Sequence, residues 1–155
     1  EVKMKVITLV LTACLALAQL NAYAGELNLG SEKFQGDFQI DSIFTRDGKT
    51  YEVSASGDAG PYGRVYLSYI FTDMIGLKDR GEFTGHAWTQ NGEEVNTATL
   101  QGVYLKDGKV FKMYSFDLVS NGVINLALGT VDFVAKTMKF DVTGVETGVT
   151  KRNQE

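Results

Sequence analysis

The chain has 155 residues, of which 44% are hydrophobic, with one histidine, one cysteine, one proline and a formal net charge of −4. An acidic chain with scattered lysines offers no electrostatic footprint for nucleic acid and no basic cluster for an anionic membrane surface. One histidine and one cysteine do not make an ordinary zinc site, and the composition asks for no cofactor.

In chain order, the first element is a leader. Met4 is the expected true start, followed by Lys5, an apolar run from Val6 to Leu20, and Ala22-Tyr23-Ala24. A basic start, an apolar stretch and small residues at the end are the anatomy of a secretory signal peptide, over residues 1–24 with cleavage after Ala24. The run is short for a membrane span and is broken by Gln19 and Asn21. A rival reading is lipidation at Cys14, since Leu11-Thr12-Ala13-Cys14 resembles a lipobox, but the stretch from Leu15 to Leu20 is still signal-like instead of a polar tether. The expectation is a secreted or periplasmic protein whose single domain, 25–155, has no cysteine, no disulfide and no membrane span.

From Phe34 onward no segment keeps a helical period for three turns. Short runs rich in Val, Thr, Tyr and Phe alternate with turn signals instead. Eight strands are predicted, over 33–45, 49–57, 64–72, 81–90, 93–106, 109–119, 123–134 and 137–145. Asp47-Gly48, Asn91-Gly92, Asp107-Gly108 and Asn121-Gly122 read as two-residue hairpin turns, because these pairs accept the positive φ that such turns need. Short connections make sequential neighbours pair. Closure removes the exposed edges that eight antiparallel strands would otherwise present, so the fold class is all-β, a single up-and-down antiparallel barrel. Pro61 falls between strands, and the segments 57–63 and 73–80 are the longest loops and the candidate lids or rim contacts.

Two-residue turns also set register, so each face can be written out. Phe38, Ile40 and Phe44 face inward across from Tyr51, Val53 and Ala55. Val65, Leu67, Tyr69 and Phe71 form the apolar face of the third strand. Phe83, Ala98, Leu100, Tyr104, Phe111, Met113, Leu126 and Leu128 then share one interior face. Gly85, Ala87, Ala98, Gly102 and Ser115 lie among them, either to relieve crowding or to leave a cavity. At the last hairpin a three-residue turn, 135–137, is preferred because it turns Met138 and Phe140 inward and keeps Lys139 and Asp141 out of the core.

The chain's one histidine and one tryptophan sit together in Gly85-His86-Ala87-Trp88. Register puts His86 opposite Thr97 and Trp88 opposite Val95, on the outer face. No Gly-x-Ser-x-Gly turn accompanies the histidine, no spacing forces two carboxylates together, and the glycine-rich 57–63 precedes a strand rather than a helix. A catalytic motif is therefore missing, and whether the protein is an enzyme stays open, with non-enzymatic function preferred. Trp88, Val95, Val103, Tyr114, Phe116, Val131 and Phe133 make the outer wall unusually apolar, which points to a homo-oligomer interface with His86, Trp88, Tyr114 and Phe116 as its candidates. Covering by a terminus or by the 73–80 loop is the alternative. An outer-membrane barrel would put Thr97, Thr99, Gln101 and Lys112 against lipid. Inside, Asn96, Tyr104, Phe111, Met113, Asp117 and Asp132 are the candidate ligand-binding residues, with Asn96 and Asp117 near one rim and Asp132 near the other.

The strand order, with Gly57-Asp58-Ala59-Gly60-Pro61-Tyr62 and Gly81-Glu82-Phe83-Thr84-Gly85, resembles calycin-like small barrels, loosely those of the allene oxide cyclase and dirigent-like group. The resemblance implies a barrel that holds a small apolar molecule, often within a trimer, and carries over no catalytic residue. The lipocalin Gly-x-Trp on the first strand is absent. The favoured function is an exported barrel binding a small apolar or amphipathic ligand. The alternatives are an isomerase- or cyclase-type enzyme using Asp117 or Asp132 with Tyr104, and a filled structural barrel binding a partner at Trp88, Tyr114 and Phe116.

Overall fold

The computed structural model describes residues 27–147; the leader expected over 1–24, with Cys14, lies outside the described residues. Eight strands follow one another: β1 Asn28–Thr45, β2 Tyr51–Ala59, β3 Arg64–Thr72, β4 Arg80–Asn91, β5 Glu94–Asp107, β6 Val110–Val119, β7 Ile124–Asp132 and β8 Thr137–Glu146. Each pairs antiparallel with the next, and β1 pairs with β8, which closes the barrel in sequential order. The all-β, up-and-down expectation holds, and every predicted strand exists within a few residues of its expected ends.

The register is where structure and expectation part, and parity decides the consequence. Across β4–β5 the turn centres on Gly92-Glu93, one residue later than expected, so Phe83 faces Gly102 and Ala87 faces Ala98. Across β5–β6 it centres on Gly108-Lys109, and Tyr104 faces Met113. Gly92 and Gly108 carry φ of 64° and 62° while Glu93 and Lys109 do not share the positive φ, the geometry of a turn with glycine at its first central position. Moving a turn by one residue shifts partners by two, so each side chain keeps its face.

Two hairpins slip by an odd number and swap faces. In β1 a bulge lies between Ile40 and Ser42, after which Ser42 faces Ser54 and Phe44 faces Glu52. Phe44 is therefore not interior: it is 50% exposed, with the Arg46 guanidinium 5.5 Å from its ring centre. The connection is a five-residue loop, 46–50, in which Asp47 Oδ1 accepts from the N–H groups of Lys49 and Thr50 at 2.8 and 2.7 Å. In the β6–β7 hairpin the connection is Ser120-Asn121-Gly122, three residues, closed by Val119 N–H to the Val123 carbonyl at 2.9 Å. Gly122 takes φ 85°, as a three-residue loop ending in a left-handed residue requires. Asn125, Ala127 and Val131 consequently face inward, whereas Leu128 is 46% exposed. The expected interior Leu126 and Leu128, and the expected outer Val131, exchange roles. Replacing Gly122 by alanine should cost about 1 kcal/mol, from the backbone strain of a Cβ at positive φ; urea denaturation measures it, and no loss would mean that the loop adopts another turn.

The β7–β8 connection is four residues, 133–136, rather than three. Because β7 has already swapped faces, the even loop still delivers Met138 and Phe140 inward, and both are buried. Lys139 and Asp141 point out, where Lys139 pairs with Asp37 at 3.4 Å and Asp141 accepts from Gln35 at 3.1 Å.

The two ends of the barrel differ. The end carrying the β1–β2, β3–β4, β5–β6 and β7–β8 connections is filled by rings. Tyr69, Phe71, Phe83, Tyr104, Phe111 and Phe133 form one contiguous set with neighbouring centroids 5.1–6.0 Å apart. Space for them comes from glycines across the ladder. A Cβ on Gly81 would meet the Tyr104 hydroxyl at 2.6 Å, one on Gly85 the Tyr69 ring at 2.8 Å, and one on Gly102 the Phe83 ring at 2.9 Å. Gly129 makes room for Phe140 in the same way. Ring over glycine is how this interior reaches close packing with so many aromatics.

Candidate functional site

At the other end, towards the strand termini and the β2–β3, β4–β5 and β6–β7 connections, rings over glycine come only from β1, with Phe38 over Gly36 and Phe34 over Gly60. Successive strands place Leu67, Ala87, Ala98 and Val119 in one row. Two adjacent alanines there leave the axis open, and a cavity of about 90 Å³ remains. Its wall is mostly apolar, with Phe34, Phe38, Tyr62, Tyr69, Trp88 and Phe140 supplying the rings. Phe34 and Tyr62 meet edge to face at 5.7 Å across the mouth. Tyr62 belongs to a short 3-10 turn, Gly60–Tyr62, with Pro61 at its start. A Cβ on Gly60 would lie 2.5 Å from that of Phe34, so this turn rests directly on β1. The segment 57–63 thus borders the cavity. The segment 73–79 lies at the ring-filled end, organised by Asp73, whose carboxylate accepts from Gly76 and Leu77 N–H at 2.7 and 2.9 Å.

Polar groups reach the cavity at one level. Asp117 on β6 faces Leu100 on one side and Asn125 on the other. The Ser115 hydroxyl, two residues along the same strand, donates to Asp117 Oδ1 at 2.5 Å and lies 3.3 Å from the Gln101 carbonyl oxygen. Asp117 Oδ2, the Asn125 amide and the Tyr69 hydroxyl have no hydrogen-bond partner among the described residues, although Asn125 is only 5% exposed and Tyr69 only 4%. All three side chains line the cavity, and no polar side-chain atom among the described residues is both sealed from it and unpaired. Their unused hydrogen-bonding capacity is therefore directed into the cavity.

The electrostatics follow from that placement. Burial pushes the Asp117 carboxyl up to about 6, against the opposing pull of the Ser115 hydrogen bond. Burial, and secondarily the Asp117 charge, raises the Tyr69 phenol well above its ordinary value. Among the described residues no Lys, Arg, His or Glu lines the cavity, and Asp117 is its one carboxyl.

Of the candidate site residues named from sequence, Asn96 and Asp117 line the cavity, and so does Trp88, which was expected only on the outer face. Asn96 lies at the mouth, its amide donating to Glu94 at 3.0 Å. Tyr104 and Phe111 belong to the ring-filled end, and Met113 is 1% exposed within the core. Asp132 ends β7 and caps the β7–β8 turn, accepting from Val134 and Ala135 N–H at 3.0 and 2.9 Å and pairing with Lys109 at 3.1 Å. Those contacts, the Ala135 N–H foremost, hold its carboxyl below the usual range. Outside, His86 faces Thr99, and Trp88 stacks on Tyr66 with centroids 4.6 Å apart. Tyr114 and Phe116 are exposed beside Leu118 and Leu128, while Phe133, expected on that wall, packs against Phe71 and Phe111.

Sequence reasoning missed Asn125, because the expected β6–β7 register turned it outward. The apolar face of β3 marks Tyr69 only as a core residue. The usable signal was the third residue of the Ser120-Asn121-Gly122 loop: a glycine there fits a three-residue hairpin as well as a two-residue one. Among the described residues no three His, Cys, Asp or Glu side chains come together as a metal site would need, and no helix is long and apolar enough to cross a membrane. Compared with protein-family models, curated proteins and solved structures, the chain matches none.

Proposed function

We propose that this chain is an exported, calycin-like barrel that binds a small apolar or amphipathic molecule in the cavity at the strand-termini end. The observation that supports it most is the coincidence of an apolar, ring-lined cavity with three unpartnered polar side chains, Asp117, Asn125 and Tyr69. A few convergent polar groups in an apolar wall are what fix orientation in small-molecule sites. At about 90 Å³, the space is well below the roughly 300–1,000 Å³ of pockets for drug-sized ligands. The occupant is thus a compact molecule or the short apolar end of a longer one that passes Phe34 and Tyr62. The exposed stripe of Tyr114, Phe116, Leu118 and Leu128 supports an accompanying proposal, a contact between copies of the chain.

Native mass spectrometry of residues 25–155, purified gently from an exporting host, tests both. The expected spectrum is a multimer carrying extra mass that leaves on denaturation. In Ala98→Leu the added side chain occupies the cavity, so the extra mass should vanish. Stability should change by less than about 1.5 kcal/mol, because the new methyl groups enter existing space instead of a packed core. A bare wild-type protein, or an A98L protein that keeps the same bound mass, would sink the reading.

A second reading is favoured by the same carboxyl. A group with a pKa near 6 inside an apolar cavity is suited to move a proton to and from a bound molecule, as an isomerase or cyclase requires. In that reading Tyr69, rather than Tyr104, is the partner of Asp117, and D117N would abolish turnover while leaving binding of the apolar part intact.

A further inference from the structure

We infer that the molecule taken by this cavity carries a compact amine or other organic cation, held by the Asp117 carboxylate among aromatic rings, with its apolar part lying against Ala87, Ala98 and Val119. This inference rests on the small-molecule reading and narrows it to a chemical class.

Three features of the wall converge on that class. The first is charge. Among the described residues, Asp117 is the one carboxyl lining the cavity, and no Lys, Arg or His lines it. An anionic head such as a fatty-acid carboxylate would meet a like charge with nothing to neutralise it. A cation would supply the countercharge that the fold itself withholds. The second is hydrogen bonding. Asp117 Oδ1 is used by Ser115, whereas Oδ2 is free among the described residues and the amide of Asn125 lies directly across the strand pair. An ammonium has donors only. It can give one to Oδ2 and another to the Asn125 side-chain oxygen. The third is the ring lining. Phe34 with Tyr62, and Phe38 with Phe140, form edge-to-face pairs with centroids 5.7 and 6.1 Å apart. Tyr69 and Trp88 complete the set. Ring faces attract cations, and aromatic walls closing on a carboxylate are a general solution for ammonium recognition.

The surroundings act in the same sense. Glu93 in the β4–β5 turn and Glu94 at the start of β5 lie beside Asn96 at the mouth, and the chain as a whole is acidic at −4. A negative mouth raises the local concentration of cations and lowers that of anions.

Matched probes of one size separate the inference from the reading it rests on. Butylamine, 1-butanol and butyrate differ in head group and carry four carbons each, small enough for the cavity. Each is titrated into the 15N-labelled protein at pH 8, with shifts followed at Leu100, Asp117, Val119 and Asn125. Butylamine is expected to bind about tenfold or more tightly than 1-butanol, the advantage of a charged over a neutral hydrogen bond, and butyrate more weakly than either. In Asp117→Asn the amine should fall to the affinity of the alcohol, while the alcohol is unchanged. That control also removes any effect of the acidic surface, which the variant keeps. At pH 5 the ligand remains a cation but Asp117 is protonated, so the wild-type advantage should shrink by about tenfold. Tyr69, whose phenol is pushed well up by burial, stays neutral throughout that range. Alcohol binding without an amine preference, or a preference that survives D117N, overturns the amine inference and leaves the small-molecule reading standing. If none of the three probes moves these resonances, the small-molecule reading falls as well.

Discussion

Replacing Phe83 by alanine is expected to cost about 3–5 kcal/mol, the largest loss from any single truncation at the ring-filled end. Phe83 is 1% exposed, with Tyr69 at 5.5 Å and Phe71 at 5.8 Å between ring centroids. Its ring also occupies the space above Gly102. Neither side can close the hole: Tyr69 is held over Gly85, Phe71 is held by Tyr104 and Phe133, and the Gly102 backbone is fixed in the β4–β5 and β5–β6 ladders. The transfer free energy of the ring and the cavity left behind therefore add instead of being relaxed away. The matching control is Tyr66→Ala on the outer wall. That ring is 42% exposed and stacks on Trp88 alone, so its loss should cost about 1 kcal/mol. Urea denaturation of both variants, with unchanged m-values as the check on two-state behaviour, gives the comparison. A Phe83 variant no worse than the Tyr66 variant would mean that the filled end is loosely packed, and the division of the barrel into a filled and a hollow end would fail.

The second large effect is a gain in stability. Asp117→Asn should stabilise the unliganded protein by up to about 3 kcal/mol at pH 8, and by almost nothing near pH 3.5. The carboxyl is raised from 3.8 to about 6 by burial. Between those values the folded state holds a proton that the unfolded chain has released. Stability therefore falls as pH rises through this window, and above it the full penalty of a buried, uncompensated charge is present. Asparagine retains an oxygen to accept from Ser115 and carries no charge, so the penalty disappears. Exposed carboxylates titrate in the opposite direction. Asp47, Asp73 and Asp132 are held low by backbone N–H groups, and their contribution is lost on acidification. The difference between variant and wild type cancels them and isolates Asp117. Denaturation of both proteins from pH 3.5 to 8 should give a difference that opens through pH 4–6, and a difference independent of pH would assign the effect elsewhere. A charge kept in an apolar cavity against its own cost to the fold is the usual mark of a group retained for a ligand or a reaction.

The sequence by itself determined the number of strands, their sequential pairing and most of the interior. The reason is that period-two patterning and glycine-containing turns are local properties, written within about ten residues. It also determined the face of every residue from β2 to β6, although two of the expected turns were misplaced. Those errors moved partners by two, and a pleat with a period of two cannot register such a shift. Only the tertiary structure decided the odd slips. The bulge after Ile40 turns Phe44 out, and the three-residue loop before Val123 turns Asn125 in and Leu128 out. A bulge or an extra loop residue is chosen by how the whole barrel closes, with β1 spanning both β2 and β8, and closure is not a property of any one hairpin. The division into a filled and a hollow end was likewise not legible. Glycines and alanines read alike as small interior residues. What separates them is whether a ring from the neighbouring strand lies above, as Tyr69 does over Gly85, or whether another alanine does, as Ala98 does opposite Ala87. Asp117 was legible as an interior carboxyl. Its pairing with Asn125 and its place among the rings of β1, β3 and β8 were not, because those groups come from strands far apart in the chain and meet only once the sheet has closed on itself.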